Sequence, residues 1–153
     1  MTGGRFRSLR FVHPDLAEGV RGLQVAAQGG LATVTDGEAV RQALLLLLTT
    51  RPGERVGRPS YGCDLARLVF APVDDTTAGL AIHYVRQAVT RWEPRVEVVD
   101  VDASPTDAPA PGPGPGQGPG PGPQLLLHLT YRVRLTRETD VLSLTLPLAG
   151  GAP

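Results

Sequence analysis

The sequence predicts an α+β fold: two main helices and a short helix packed on a small, mostly antiparallel sheet, with a C-terminal β-hairpin and an inserted Pro/Gly-rich linker. Three observations predict it. Apolar residues recur at helical spacing over residues 36–48 and again over 76–92. They alternate at a spacing of two over 125–135 and 142–148, as in strands with one face in a core and one in water. Between the two kinds of segment lies a stretch, 104–124, in which 14 of 21 residues are Pro or Gly, a composition that packs no core.

In order, residues 1–20 form an irregular N-terminal segment, anchored at most by Phe6, Leu9, Phe11 and Val12. A single domain then runs over 21–148, interrupted by the 104–124 linker and followed by a tail, 149–153. Leu23–Ala27 and Leu31–Val34 flank Gln28-Gly29-Gly30, which reads as a small hairpin. Thr35-Asp36-Gly37-Glu38 fits a capping box with Thr35 as N-cap and Glu38 reaching back. The helix that follows, 36–48, carries Val40, Ala43, Leu44 and Leu47 on one face and ends before Pro52. Cys63–Phe70 reads as a short helix with Leu65, Leu68 and Val69 on one side. The caps offered by 74–77 open a second long helix to Trp92, striped by Ala78, Ala81, Ile82, Val85, Ala88, Val89 and Trp92. Glu93-Pro94 stops it and Val96–Val101 leaves as a strand. Beyond the linker, Leu125, Leu127, Leu129, Tyr131, Val133 and Leu135 face one way and His128, Thr130, Arg132 and Arg134 the other. Residues 137–140 turn the chain into a partner strand, Leu142–Leu148, that Pro147 assigns to a sheet edge.

At 153 residues the chain is long enough for one modest domain. Fifteen basic and fifteen acidic side chains leave no net charge, hence no electrostatic footprint for nucleic acid or an anionic membrane. All fifteen basic residues are arginine, the codon bias of a high-GC genome, so their abundance is not by itself interface chemistry. The single cysteine, Cys63, excludes an internal disulfide framework and a zinc cluster. No segment resembles a signal peptide or a membrane span, which predicts a soluble, cytoplasmically made protein.

The candidate chemistry is sparse. Glu54 and Glu93 both follow core helices, and a glycosidase needs two carboxylates across a cleft. Each, however, has an arginine near it in sequence (Arg51 or Arg55 for Glu54, Arg95 for Glu93), and ion pairing that fixes two loops is the simpler reading. His13, His83 and His128 have no metal-ligand spacing. Prolines occupy the positions where a phosphate-binding nest needs free N–H groups, so no cofactor is expected. Two features suit a binding module instead. The terminal hairpin has an edge, which Pro147 either protects or leaves for another chain. The Trp92-Glu93-Pro94-Arg95 corner is either a plain helix stop or a rigid contact.

Two motifs in fixed order carry a resemblance: Leu-Thr-Thr-Arg-Pro-Gly-Glu-Arg at 48–55 with Pro-Ser-Tyr-Gly-Cys-Asp-Leu at 59–65, then Trp-Glu-Pro-Arg-Val at 92–96. Over residues 31–148 the chain resembles the baseplate wedge, or sheath-initiator, family of contractile phage tails, type VI secretion and extracellular contractile injection systems, some of whose members are known as lysozyme-like. The resemblance implies a non-enzymatic structural protein, with about six copies around the tail tube. Its partners would be wedge proteins, the sheath protein and the inner tube or hub, in a cytoplasmically assembled particle with no nucleic acid and no membrane span. It implies docking on the wedge through Glu93, Pro94 and Arg95, and acceptance of sheath strands by the hairpin through Tyr131, Arg132, Val133, Arg134, Leu144 and Leu146. Arg51, Glu54 and Arg55 would brace the docking corner, with either glutamate pairing to the other segment's arginine. A peptidoglycan hydrolase at the baseplate is the alternative. The departure from the family pattern is the long Pro/Gly insertion between two strands that its members join tightly.

Overall fold

The computed structural model describes residues 6–12, 22–106 and 123–148; the central part of the linker and the 149–153 tail lie outside the described residues. The chain divides into two compact units, residues 1–46 and 47–153.

In the first unit, strands β1 (Arg7–Leu9) and β2 (Phe11–Val12) form where an irregular segment was expected. β2 pairs antiparallel with β3 (Gly22–Leu23), and β1 with β4 (Thr33–Thr35). Strands of two and three residues are too short to impress a period on the sequence. Backbone bonds through Arg10 link the two pairs: its N–H donates to Ala32 O (2.8 Å) and its carbonyl accepts from Gln24 (3.2 Å). The expected turn is present, with Val25 opposite Leu31 and positive φ at Gly29 and Gly30. Helix α1 (Asp36–Thr49) follows β4 without a spacer. Asp36 has φ of +48° and exchanges bonds with Phe6, donating its N–H to the Phe6 carbonyl (2.8 Å) and accepting the Phe6 N–H on its carboxylate (3.3 Å). The side chain of Gln42, on α1, accepts from Phe11 N–H (2.8 Å) and donates to Leu9 O (2.7 Å). Helix and strands are thereby tied at both ends of β1. Val40, Leu44, Leu47 and Leu48 of α1 are buried, so the leucine run is core, as its pattern requires.

In the second unit, the short helix is a 3₁₀ turn, Asp64–Leu68, with Leu65 and Leu68 buried. Helix α2 (Asp75–Trp92) is capped by Asp74, whose carboxylate accepts the Thr77 N–H at 2.7 Å and is held below the usual carboxylate range by that bond. Ala78, Ala81, Val85, Ala88 and Val89 are buried as the stripe predicts, while Ile82 and Trp92 are only half-buried. α2 lies on an antiparallel sheet of order β5-β6-β7: β5 (Val96–Thr106), β6 (Gln124–Val133) and β7 (Thr139–Pro147).

Two boundaries differ from expectation. β5 runs past Val101 to Thr106, which pairs with Gln124, so residues 104–106 and 124 belong to the sheet and the linker between strands is shorter than 104–124. Pro105 fits because β5 is an outer strand, where a missing N–H interrupts no ladder. β6 ends at Val133, and Leu135 is exposed in the following turn, closed by Arg137 at φ +61° and by mutual bonds between Val133 and the turn, 2.8 Å each. Pro147 does lie on an outer strand. Inward-facing Leu125, Leu127, Leu129, Tyr131, Val133, Leu142 and Leu146 form the sheet side of the core.

Candidate docking site

The corner at the end of α2 is built by one ion pair. Glu93 takes the C-cap position with φ −124° and ψ 73°, and its N–H still reaches Val89 O at 2.9 Å. That geometry turns its side chain inward, leaving the residue 6% exposed. Arg95 binds both carboxylate oxygens, Nε to Oε1 at 2.5 Å and Nη2 to Oε2 at 2.6 Å. This two-point bond raises the arginine's proton affinity further. Pro94, between them, is exposed. The Arg95 carbonyl accepts the Arg134 N–H (2.9 Å), and Arg134 Nε donates to Val96 O (3.3 Å), so the turn after β6 is bonded to the corner. A half-open cleft of about 460 Å³ adjoins Pro94, lined by Arg86, Thr90, Val96, Glu97, Val98 and Arg134.

The loop ahead of the 3₁₀ turn leans on this corner through aromatic contacts. The Tyr61 and Trp92 rings meet edge to face, centroids 5.4 Å apart, with the Arg55 guanidinium 4.5 Å from the Tyr61 centroid. Partial burial raises the Tyr61 pKa, opposed by Arg55. The loop's base is closed by Cys63 N–H to Thr50 O (2.9 Å) and by Gly62, buried at φ +132°, where a Cβ would lie 2.5 Å from Thr50 O. Only glycine fits there. Glu54 accepts the Arg51 N–H at 2.9 Å. The brace between loop and corner is thus Tyr61 on Trp92, while Glu54 is engaged within its own loop.

The hairpin residues separate into two groups. Tyr131 and Val133 are buried in β6, the middle strand, and Tyr131 gives its hydroxyl to Asp140 (2.9 Å). Arg132 shares that strand, opposite Glu97 on one side and Thr139 on the other. None of these three presents a free backbone edge. Leu144 and Leu146 lie on β7, an outer strand. The carboxylates do not form a catalytic pair across the cleft: Glu93 is committed to Arg95, Glu54 sits in the loop, and Glu97 is the one carboxylate among the cleft's lining residues. Among the described residues no cluster of His, Cys, Asp or Glu could hold a metal ion, and no helix is long and apolar enough to cross a membrane.

The sequence reading missed Tyr61, Arg86 and Glu97. The signal for Tyr61 was the aromatic placed directly before a glycine in an otherwise charged loop.

Comparison with known proteins places this architecture. A family model for baseplate wedge protein gp25 matches residues 34–138. Baseplate wedge protein gp25 of Enterobacteria phage T4 is 33% identical over 64 residues, 42% of this chain and 48% of that protein, so the chain spans about half the length of that relative. The crystal structure of a protein described as a tail lysozyme from Geobacter sulfurreducens is 35% identical, with a TM-score of 0.61 over 79% of this chain and 100% of that one. A chain of the 6-fold symmetrised cryo-EM baseplate of the anti-feeding prophage shares the fold, with a TM-score of 0.56 at 20% identity over 95% of this chain and 88% of that one. The match begins in β4 and runs through both helices to the turn before β7, and by it this chain belongs to the baseplate wedge protein gp25 family.

Proposed function

We propose that this protein is a non-enzymatic component of a contractile baseplate that docks on the wedge by its Glu93–Pro94–Arg95 corner and templates sheath assembly at an edge of its sheet. The observation that carries the reading is β7, an outer strand held to the core by Leu142 and Leu146 with no strand beyond it among the described residues. Unpaired backbone groups on such an edge accept another strand whatever its sequence, and the alternation of buried leucines fixes the register. Because Arg95 is spent on Glu93, its part in docking is to position the corner, with exposed Pro94 as the contact. A ring of about six copies accords with the six-fold baseplate of the anti-feeding prophage, and wedge proteins, sheath protein and inner tube or hub are the partners assigned.

The second reading, a peptidoglycan hydrolase, is kept alive by the tail-lysozyme description of the Geobacter protein. It is disfavoured by the arrangement of Glu54 and Glu93, neither of which lines the cleft.

Site-directed crosslinking tests the proposal. Thr145 is exposed on β7, and Cys63 is buried, so a photoactivatable maleimide on the Thr145→Cys protein labels the strand selectively. In purified particles the adduct should form with sheath protein. Adducts with wedge proteins alone would overturn the edge assignment.

A further inference from the structure

The loop from Arg51 to Ser60 poses a problem that bracing does not solve. All ten of its residues are exposed, yet it is internally bonded throughout: Gly53 N–H to Pro59 O (2.7 Å), Glu54 N–H to Arg51 O (3.1 Å), Arg58 N–H to Arg55 O (3.2 Å) and, just beyond it, Tyr61 N–H to Arg58 O (3.1 Å). With Gly62 pinned beneath Thr50, the loop holds one shape without burying anything. Ordering an exposed segment loses chain entropy, and a loop so ordered displays a surface already prepared for a partner.

What it displays is cationic and aromatic. Arg55 lies over Tyr61, Arg91 lies 5.0 Å from the Trp92 centroid, and Arg58 adds its charge to the field at Tyr61. Among the described residues none of these three arginines has a carboxylate partner; the ion pairs of this unit belong to Arg67, Arg86 and Arg95. A guanidinium stacked on a ring loses rotamer freedom in advance and keeps its N–H edge for a planar acceptor. Val56, wholly exposed at the tip between Arg55 and Gly57, adds an apolar contact. Trp, Tyr and Arg grouped in this way have the composition of interface hot spots.

We propose that Arg55 on Tyr61 and Arg91 on Trp92, with Arg58 beside them in the loop, form a second docking surface, separate from the β7 edge, for an acidic segment of a neighbouring protein. Three uncompensated charges in a chain with no net charge argue for a carboxylate-bearing protein segment rather than a nucleic acid, which calls for a broader basic field. Val56 at the centre of the loop argues the same way. The proposal rests on the assembly reading only in taking that neighbour to be another baseplate protein.

Trp92 is the chain's one tryptophan, so its emission reports directly on the patch. The full chain is titrated with a short peptide of alternating Asp and Leu, and with a single-stranded oligonucleotide of matched charge. The peptide should change Trp92 emission saturably and less so at high salt. The doubly reversed Arg55→Glu, Arg58→Glu protein, altered only at exposed positions, should bind it about tenfold or more weakly, with an unchanged circular-dichroism spectrum. An absent response, equal binding by the variant, or tighter binding of the oligonucleotide overturns the proposal. Since β7 is untouched, the crosslink to sheath and this titration fail independently, and a failure of one is not a failure of the other.

Discussion

Glu93 and Arg95 show how much one pair of side chains decides. A carboxylate at the end of a helix, 6% exposed, is tolerable only because a guanidinium two residues on meets both its oxygens. Arg95→Ala leaves that charge buried without its fork, at a cost of about 2–3 kcal/mol, moderated because Arg95 itself is partly exposed. Arg95→Lys, which keeps the charge and loses one of the two bonds, should lose about half as much by urea denaturation. Loss of baseplate incorporation in Arg95→Ala is therefore interpretable only beside this stability measurement. The pair was legible in the sequence because its members are neighbours; Tyr61 against Trp92 was not, because only the folded loop brings them together. Cys63 makes a second prediction. Burial pushes its thiol from an ordinary value of 9.0 up to about 11. The neutral thiol is favoured in the fold, so its stabilising effect is complete below pH 9 and is lost as pH rises toward 11. Between about pH 8 and about pH 10.5 the wild type should lose about 2 kcal/mol more than Cys63→Ala, as read from urea midpoints.

At the scale of elements, the two helices were legible because each carries a long run at 3.6-residue spacing, and α2 also has a cap with a visible mechanism in Asp74. β6 was legible for the same reason at a spacing of two. β1 and β2 were not, being too short, and they exist through partners from elsewhere in the chain, among them the Gln42 side chain. The end of β5 was hidden by Pro105, which reads as linker until the strand is known to be an outer one. That ladder sharpens what the linker can be. Since Thr106 pairs with Gln124, removing 107–122 outright would leave Pro123 alone to reverse the chain. Replacing 107–123 by Asn-Gly, so that two residues join the Thr106–Gln124 pair, provides a turn and shortens the loop, with a gain of about 1 kcal/mol from the smaller closure entropy. The replaced protein should melt at or above the wild-type temperature; a lower melting temperature would mean that the insertion supports the sheet.

For the whole molecule, the question is whether it acts by shape or by chemistry. Its net charge of zero, the engagement of Glu54 and Glu93 in separate local bonds and the outer strand β7, with no strand beyond it among the described residues, favour shape. Fold and family were legible because two motifs survive in order around the core helices. The cationic loop surface was not, because exposed arginines in an arginine-rich chain signal nothing until their missing partners are seen in three dimensions. The shape account and the hydrolase account differ most when the chain is absent. Particles are purified from producing cells that lack this protein and imaged by electron microscopy. The structural account predicts tubes and wedges without ordered sheath, restored by the wild-type chain and equally by a Glu54→Gln chain. Fully sheathed particles that fail only to digest cell wall would contradict it.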